Sequence, residues 1–297
     1  MLQTANTIIP FHNEKPPAFF DVEMLPLTTK VPFGNGYNYE NIPEAMAMAV
    51  VNSETQQPLG IHTNSYKLVS HKEVYDAVCE AVEESNISKD YKITLGTMRD
   101  GAQFRGEIIF DDLIIEPVVD DVIKYRLRFW NSYDGSLSIG IMCDGLRLWC
   151  LNGCTTPDTI AGYRAKHTSN INIKGMGKSI GHSLDMFHNN RDVYKRMAET
   201  KLVYTNMEDR LMNFCFYKTA SGKIKLNEKR FADIKFCIDK NINILGCNLW
   251  ALYNGLTQWA THIENPNGYH SGISREREIH SYMSNALPEY NKLSQLH

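Results

Sequence analysis

No apolar run in the sequence approaches the ~20 residues that a membrane-spanning helix needs. Residues 1–10 also lack the basic stretch and the apolar stretch of a secretory signal, so we expect neither secretion nor membrane insertion. The sequence has no excess of basic charge, because 31 Lys and Arg stand against 34 Asp and Glu, for a net charge of −3. Any site that binds a polyanion must therefore be local.

The cysteines do not form a disulfide framework or a metal-ligand pattern. They are odd in number and scattered through apolar segments, which is typical of reduced, buried thiols in a cytoplasmic protein. The second Cys pair of a structural zinc site is missing as well, so we predict no metal. The seven residues are Cys79, Cys143, Cys150, Cys154, Cys215, Cys237 and Cys247.

A complete phosphate-binding loop is also missing. Gly177 and Lys178 match the end of that motif, but Asn172 stands where the pattern requires its first Gly. We therefore predict no nucleotide hydrolysis and no cofactor. A run of carboxylates leaves one enzymatic alternative open, because clustered carboxylates bind Mg²⁺, although such a run beside a proline also marks a solvated turn. The run contains Asp111, Asp112, Glu116, Asp120 and Asp121.

The sequence predicts an α+β fold, in which an antiparallel β-meander packs with helices and the C-terminal half is helical. A hydrophobic content of 43% is ample for a packed core. We expect three successive regions. Residues 1–41, rich in proline, form an extended N-terminal arm with a short strand near Val31; residues 42–184 form an α+β core with an antiparallel sheet; residues 185–297 form a helical region packed on that core.

Local patterns place the elements of this fold. Ser70 and Glu73 form a capping box that predicts a helix ending near residue 84. Turns at Asp100-Gly101 and Asp134-Gly135 predict hairpins. The predicted strands cover residues 60–70, 91–98, 103–109, 122–131 and 137–143, and the other predicted helices cover 42–51, 184–197, 202–217, 226–237 and 245–262.

One predicted strand carries a row of cations. Lys124, Arg126 and Arg128 alternate with apolar and aromatic residues, so the three cations should lie on one face of the strand. That face is either a polyanion site or an ordinary solvated surface.

A second basic feature is the segment 159–184, which contains no Asp or Glu. Arg164, Lys166, His167, Lys174 and Lys178 all fall inside it. A protein that follows single-stranded DNA needs cations for the phosphates and planar rings on which the bases stack. Trp130, Tyr133 and Tyr163 are the candidate rings.

Four segments carry a resemblance to a family. They are Ser65-Tyr66-Lys67-Leu68-Val69, Asn131-Ser132-Tyr133-Asp134-Gly135-Ser136, Arg147-Leu148-Trp149-Cys150-Leu151-Asn152 and Arg164-Ala165-Lys166-His167-Thr168, with a weaker match from Asn248 to His262 and at Arg275. With them the chain, from about Pro58 onward, resembles the phage and plasmid proteins known as domain of unknown function 932. The order of its elements is also similar to that of single-strand annealing recombinases, which assemble into rings or filaments around a basic groove.

The resemblance implies a single-stranded DNA-binding and annealing protein of phage or mobile-element recombination. It would act as a cytoplasmic homo-oligomer, without nucleotide hydrolysis, covalent chemistry or a membrane. The alternatives are a metal-dependent nucleic-acid-processing enzyme that uses the carboxylate run, and a structural or assembly protein of a phage or plasmid. The predicted DNA-binding residues are Lys124, Arg126, Arg128, Trp130, Tyr133, Tyr163, Arg164, Lys166, His167, Lys174 and Lys178.

Overall fold

The structure is a computed structural model that describes residues 18–43, 46–147, 152–154, 162–168, 176–263, 275 and 278–284. The strands are β1 Val22–Pro26, β2 Thr28–Phe33, β3 Gly36–Asn41, β4 Met48–Asn52, β5 Pro58–His62, β6 Tyr91–Met98, β7 Gln103–Ile115, β8 Ile123–Ser132, β9 Ile139–Arg147, β10 Asn152–Cys154, β11 Gly162–Ala165, β12 Phe216–Lys218 and β13 Ile224–Leu226. The helices are α1 His71–Ser85, α2 Met176–Glu199, α3 Tyr204–Cys215, α4 Glu228–Leu245 and α5 Leu249–His262, and residues 278–284 are also helical.

The largest sheet is the predicted meander. Its strands follow the order β10-β9-β8-β7-β6, and β11 pairs antiparallel with β9. Strands β6 and β7 pair antiparallel from Tyr91 opposite Phe110 to Met98 opposite Gln103, across the turn at Asp100-Gly101. The α+β fold with antiparallel sheets is therefore confirmed.

The helix predicted over residues 42–51 is wrong. Strand β4 covers residues 48–52 and pairs with β1 on one side and β5 on the other. Val50 and Val51 are buried there, and β-branched side chains fit a pleated, covered surface better than a helix. The strand predicted over 60–70 is shorter than expected, because β5 ends at His62.

Helix α1 begins as its sequence predicts. Ser70 Oγ accepts a hydrogen bond from the Glu73 main-chain N–H at 3.1 Å, and the Glu73 carboxylate accepts one from the Ser70 N–H at 2.6 Å. This reciprocal pair satisfies two N–H groups at the helix start. The four helices predicted in the C-terminal half are also present, as α2 to α5.

Two further strand pairs form separate two-stranded sheets. Strands β2 and β3 pair across a turn at Gly34-Asn35, so the part of the predicted arm that the structure describes, residues 18–41, contains three strands, one of them at Val31. Strands β12 and β13 pair within the segment whose start was predicted as the end of a helix.

The chain divides into two compact units. Unit 1 comprises residues 1–112, 126–143 and 161–184, and unit 2 comprises residues 113–125, 144–160 and 185–297. The three successive regions expected from the sequence stay a prediction.

The core of unit 1 contains Val50, Leu59 and the buried face of α1. The core of unit 2 contains Trp250 and Trp259 on α5, which are buried as predicted. Helices α4 and α5 approach closely at Gly255, where an added Cβ would lie 2.6 Å from Ile238 Cα, so this position requires glycine. No helix among the described residues is long and apolar enough to cross a bilayer.

Candidate nucleic-acid interface

The predicted cationic row on β8 does not form an open face. Arg126 and Arg128 are only 8% and 9% exposed, and the Arg126 guanidinium lies 3.4 Å from the Glu107 carboxylate. Lys124 is half-buried. The physical reason is the position of β8 in the middle of the sheet, where neighbouring strands and packed side chains cover it. Cations do alternate with apolar residues along β8, but nine of its ten residues are buried, so neither face of this strand is open.

Two of the predicted stacking rings are buried as well. Trp130 is 3% exposed and Tyr133 is 1% exposed. The Tyr133 hydroxyl accepts a hydrogen bond from the His71 main-chain N–H at 2.8 Å. Burial is the main reason that the pKa of Tyr133 is raised. Both rings therefore contribute to the core and present no open face to a base.

The open part of the predicted site is β11 and the residue after it. Arg164 and Lys166 are exposed, and Tyr163 is half-buried. Because side chains alternate between the two sides of an extended segment, both cations lie on the same side. The Arg164 guanidinium carbon lies 5.5 Å from the centre of the Trp130 ring, within cation–π range. Strand β11 pairs with β9 outside the main strand path. Lys174 lies outside the described residues, and Lys178 lies on α2 with its side chain outside the description.

His167 anchors the end of this basic segment. Its ring is 8% exposed, its Nδ1 donates to the Lys67 carbonyl at 3.1 Å, and the Lys67 N–H donates back to the His167 carbonyl at the same distance. Burial lowers the pKa of His167, which favours the neutral ring. His167 therefore fixes the position of Lys166 and does not itself face a ligand.

The His167 ring belongs to a stack of three rings in unit 1. Tyr66 lies between His62 at 3.8 Å and His167 at 4.6 Å, and both ring pairs are within 13° of parallel. The Tyr66 hydroxyl donates to the Ser132 carbonyl at 2.9 Å. Burial raises the pKa of Tyr66, so the phenol stays protonated.

The His62 end of the stack explains why glycine stands at position 60. His62 Nε2 donates to the Tyr133 carbonyl at 2.6 Å. A Cβ on Gly60 would lie 2.2 Å from that carbonyl oxygen and 2.9 Å from His62 Nε2. Any side chain larger than hydrogen would therefore displace the strand end or the ring.

A second buried group in unit 1 surrounds His71. Its Nε2 donates to the Gly101 carbonyl at 2.9 Å, and its Nδ1 accepts from the Asn131 side chain at 3.1 Å. The Asn131 amide also donates to the Val69 carbonyl at 2.9 Å. Burial lowers the pKa of His71 to about 3, partly offset by the hydrogen bond to Gly101. His71 is thus a neutral structural group with both nitrogens occupied.

These contacts bring three of the resemblance segments together. Tyr66 and Val69 come from the first, Asn131 and Tyr133 from the second, and His167 from the fourth. Segments that lie far apart in the sequence therefore meet around one buried centre, which we call the ring centre. The exposed Arg164 and Lys166 come directly before His167, which belongs to it.

The third segment contributes to a different centre, in unit 2. The Arg147 guanidinium forms a buried ion pair with Asp121, and its Nη1 donates to the Asn241 side chain at 3.1 Å. The Trp250 indole N–H donates to the other Asp121 oxygen at 2.7 Å, and Trp250 belongs to the weaker matching segment. We call this group the ion-pair centre. Asp121, expected to be part of a solvated or metal-binding carboxylate run, is 2% exposed.

Three other carboxylates of that run, those of Asp111, Asp112 and Glu116, have partners. Asp111 lies 2.9 Å from the Lys92 ammonium, Asp112 accepts from Ser88 at 2.7 Å, and Glu116 accepts from the Asp120 N–H at 2.6 Å. Across the described ranges, no group of three or more His, Cys, Asp or Glu side chains is arranged to hold a metal ion.

Two exposed hairpins carry aromatic and basic side chains that were not predicted as site residues. On the β2–β3 hairpin, the Lys30 ammonium lies 5.8 Å from the centroid of the Tyr37 ring and 5.7 Å from that of the Tyr39 ring. These two tyrosines are 66% and 67% exposed. On the β12–β13 hairpin, Tyr217 is 48% exposed among lysines. The available signals were the turn pairs Gly34-Asn35 and Ser221-Gly222, each close to two aromatic residues in the sequence.

The comparisons identify a family without an assigned activity. A family model described as "Domain of unknown function (DUF932)" matches residues 58–286, which is most of the chain and includes all four resemblance segments. No curated protein and no solved structure matches the chain.

Proposed function

Because the chain belongs to the DUF932 family, whose description assigns no activity, we propose its function from its own residues. It binds single-stranded DNA and brings complementary strands together, as a cytoplasmic homo-oligomer encoded by a phage or mobile element. It hydrolyses no nucleotide and forms no covalent intermediate.

The observation that carries the proposal is the exposed pair Arg164 and Lys166 on an acid-free segment of an acidic chain. Residues two apart on an extended strand are separated by about 6.6 Å, given a rise of ~3.3 Å per residue. That separation is close to the spacing of successive phosphates along an extended single strand. The pair can therefore contact two neighbouring phosphates from one side of β11.

Aromatic side chains near cations supply the second requirement. Tyr163 is half-buried beside Arg164, and the β2–β3 hairpin presents two exposed tyrosine rings with Lys30 over both. Bases stack on such rings without regard to sequence, with a stabilisation of ~1 to 3 kcal/mol per base. Binding through phosphates and ring faces leaves the pairing edges of the bases exposed to a complementary strand.

The ring centre supports the proposal by fixing the segment that carries the cations. His167 is held by two hydrogen bonds to Lys67 and by its stack on Tyr66. A binding side chain that starts from a rigid backbone loses less conformational entropy when a ligand orders it. Annealing needs this kind of alignment and the neutralisation of two phosphate backbones.

A second candidate function is an assembly protein. The β2–β3 hairpin exposes Phe33, Tyr37 and Tyr39 at 66% or more, and exposed apolar surface is typical of protein contacts. This candidate predicts assembly of the chain without nucleic acid. Reversing the charge of Arg164 and Lys166 would then change no DNA property, since the protein would have none.

The test of the proposal compares two charge-matched double variants. Arg164→Glu/Lys166→Glu removes the proposed contacts, whereas Arg191→Glu/Lys195→Glu changes the same charges at exposed positions of α2. Binding of a labelled poly-dT oligonucleotide is measured by fluorescence anisotropy across a salt series. We expect the first variant to bind more weakly and its log–log salt slope to be shallower by about 1.4, or ~0.7 for each lost phosphate contact.

Annealing and oligomeric state are measured on the same proteins. A labelled complementary strand should pair faster in the presence of wild type than without protein, both strands should stay intact on a gel, and light scattering should report several copies of the chain. Degraded strands that require Mg²⁺ would favour the nuclease alternative. Assembly with no DNA binding would favour the assembly protein.

A further inference from the structure

We propose that the β12–β13 hairpin, residues 216–226, is a second contact for single-stranded DNA. In this contact Lys223 and Lys225 lie on phosphates and Tyr217 stacks on a base. The inference rests on the proposed function and adds to it a surface in unit 2, separate in sequence from the basic segment at β11.

The hairpin is a well-formed element. Tyr217 lies opposite Lys225 in the antiparallel register, and the Thr219 N–H donates to the Lys223 carbonyl at 2.9 Å beyond the last strand pair. Three residues, 220–222, form the loop, and Gly222 adopts the positive φ of 81° that a three-residue hairpin loop requires. The Asn227 N–H donates to the Cys215 carbonyl at 3.0 Å and closes the base.

The register separates the side chains onto two faces. Directly opposed residues of an antiparallel pair share a face, and residues two apart along a strand do as well. Tyr217, Lys223 and Lys225 therefore lie on one face of the hairpin. The opposite face carries Phe216, Lys218 and Ile224.

The charge of the hairpin is opposite to that of the chain. Residues 216–226 contain Lys218, Lys223 and Lys225 and no Asp or Glu, whereas the whole sequence has a net charge of −3. All three lysines are exposed. No salt bridge joins any of them to a carboxylate of the described residues. Lys235 of unit 2, which is half-buried, by contrast lies 3.2 Å from Asp239.

The arrangement fits a flexible polyanion with flat bases. Lys223 and Lys225 are about 6.6 Å apart along the hairpin, at a rise of ~3.3 Å per residue. The Tyr217 ring is 48% exposed beside Lys225, so a base can cover its open face while the adjacent phosphate meets the ammonium. The cost of ordering two lysines is offset by the release of counterions from the strand.

The experiment uses the full chain, a labelled poly-dT oligonucleotide and fluorescence anisotropy across a salt series. Lys223→Glu/Lys225→Glu tests the phosphate contacts. Lys195→Glu/Lys240→Glu is the charge-matched control, at exposed positions of α2 and α4. We expect the hairpin variant to show a log–log salt slope shallower than wild type by about 1.4, at ~0.7 per phosphate, while the control keeps the wild-type slope. Tyr217→Ala should weaken binding by roughly 5- to 150-fold, the loss of one stacked base.

The outcomes separate this inference from the proposed function. If wild type binds and Arg164→Glu/Lys166→Glu weakens binding while the hairpin variants bind as wild type does, the hairpin inference is overturned and the proposed function stands. If wild type does not bind DNA, both are overturned. Loss of binding to vesicles of anionic lipid, with oligonucleotide binding unchanged, would reassign the hairpin to a membrane surface and overturn the inference. The thermal unfolding midpoint of each variant is measured as a control for folding. We expect it to equal that of wild type, because the substituted positions are exposed.

Discussion

The two units stabilise their buried polar centres in different ways. The ring centre of unit 1 joins Tyr66, His71, Tyr133 and His167 through neutral hydrogen bonds and parallel rings. The ion-pair centre of unit 2 joins charged Arg147 to Asp121, with Trp250 as an additional donor. Neutral groups lose less solvation energy on burial than charged groups, which must be paired and hydrogen-bonded. The ring centre can therefore tolerate the loss of one bond, whereas the ion-pair centre cannot.

The two centres should also differ in their effect on DNA binding. The ring centre lies at the base of the segment that carries exposed Arg164 and Lys166, so its rigidity bears on the proposed DNA contact. The ion-pair centre contains no exposed cation, since Arg147 is 1% exposed. We therefore expect changes at the ion-pair centre to alter stability alone, and the loss of a stacked ring from the ring centre to alter both stability and DNA binding.

The largest effect should come from Arg147→Met. This variant leaves Asp121 buried with a charge and only neutral donors, so we expect a loss of about 3 to 5 kcal/mol in the free energy of unfolding. Urea denaturation measures it. Arg147→Met/Asp121→Asn removes the orphaned charge but keeps an acceptor for the Trp250 N–H, and it should recover part of the loss. A double variant less stable than the single one would contradict the account of this centre.

The next largest effect should be a dependence of stability on pH that is caused by His71. Because its folded pKa of about 3 lies below the ordinary value of 6.5, the unfolded chain binds the proton more readily. The contribution of His71 to the free energy of unfolding is fully present above pH 6.5 and is lost as the pH falls from there toward 3. The expected loss is up to about 1.4 kcal/mol per pH unit within that window.

His71→Gln isolates this contribution. Burial also lowers the pKa of His280 in unit 2, to about 4, and that of His167, so wild type should lose stability from several histidines. Urea denaturation between pH 7 and 4.5 should show that the free energy of unfolding falls more steeply with decreasing pH for wild type than for His71→Gln. Equal slopes would show that His71 is not held neutral in the folded chain.

The smallest effect should come from Tyr66→Phe. The ring and its stack between His62 and His167 remain, and only the hydrogen bond to the Ser132 carbonyl is lost. We expect a loss of about 1 kcal/mol in the free energy of unfolding and unchanged DNA binding. Tyr66→Ala is the informative companion, because loss of the stack should weaken DNA binding as well. Unchanged binding in Tyr66→Ala would separate the ring centre from the DNA contact.

Local patterns predicted much of the fold, because their causes are local. The capping box at Ser70, the turns at Asp100-Gly101 and Asp134-Gly135 and the helical spacing of α2 to α5 all depend on residues close in sequence. The helix predicted at β4 is wrong, because this segment forms a strand by pairing with β1 and β5. Pairing between distant strands leaves little trace in a short window of sequence.

The site was harder to predict for the same reason. Arg126, Arg128 and Trp130 were predicted from residue type alone, and all three are buried on β8. Arg164 and Lys166 were predicted by the same criterion, and both are exposed, Arg164 on β11 and Lys166 directly after it. The ring centre joins residues up to 100 positions apart, such as Lys67 and His167, so no local spacing could indicate it. The resemblance segments contain its members, but the sequence does not indicate that these residues are in contact.

The most direct test of the account is the salt dependence of single-stranded DNA binding by wild type and by Arg164→Glu/Lys166→Glu, with Arg191→Glu/Lys195→Glu as control. The account predicts binding that weakens as salt rises, a slope shallower by about 1.4 in the first variant and an unchanged slope in the control. Absence of binding at low salt, or equal slopes in all three proteins, would contradict the assignment of this chain to single-stranded DNA through Arg164 and Lys166.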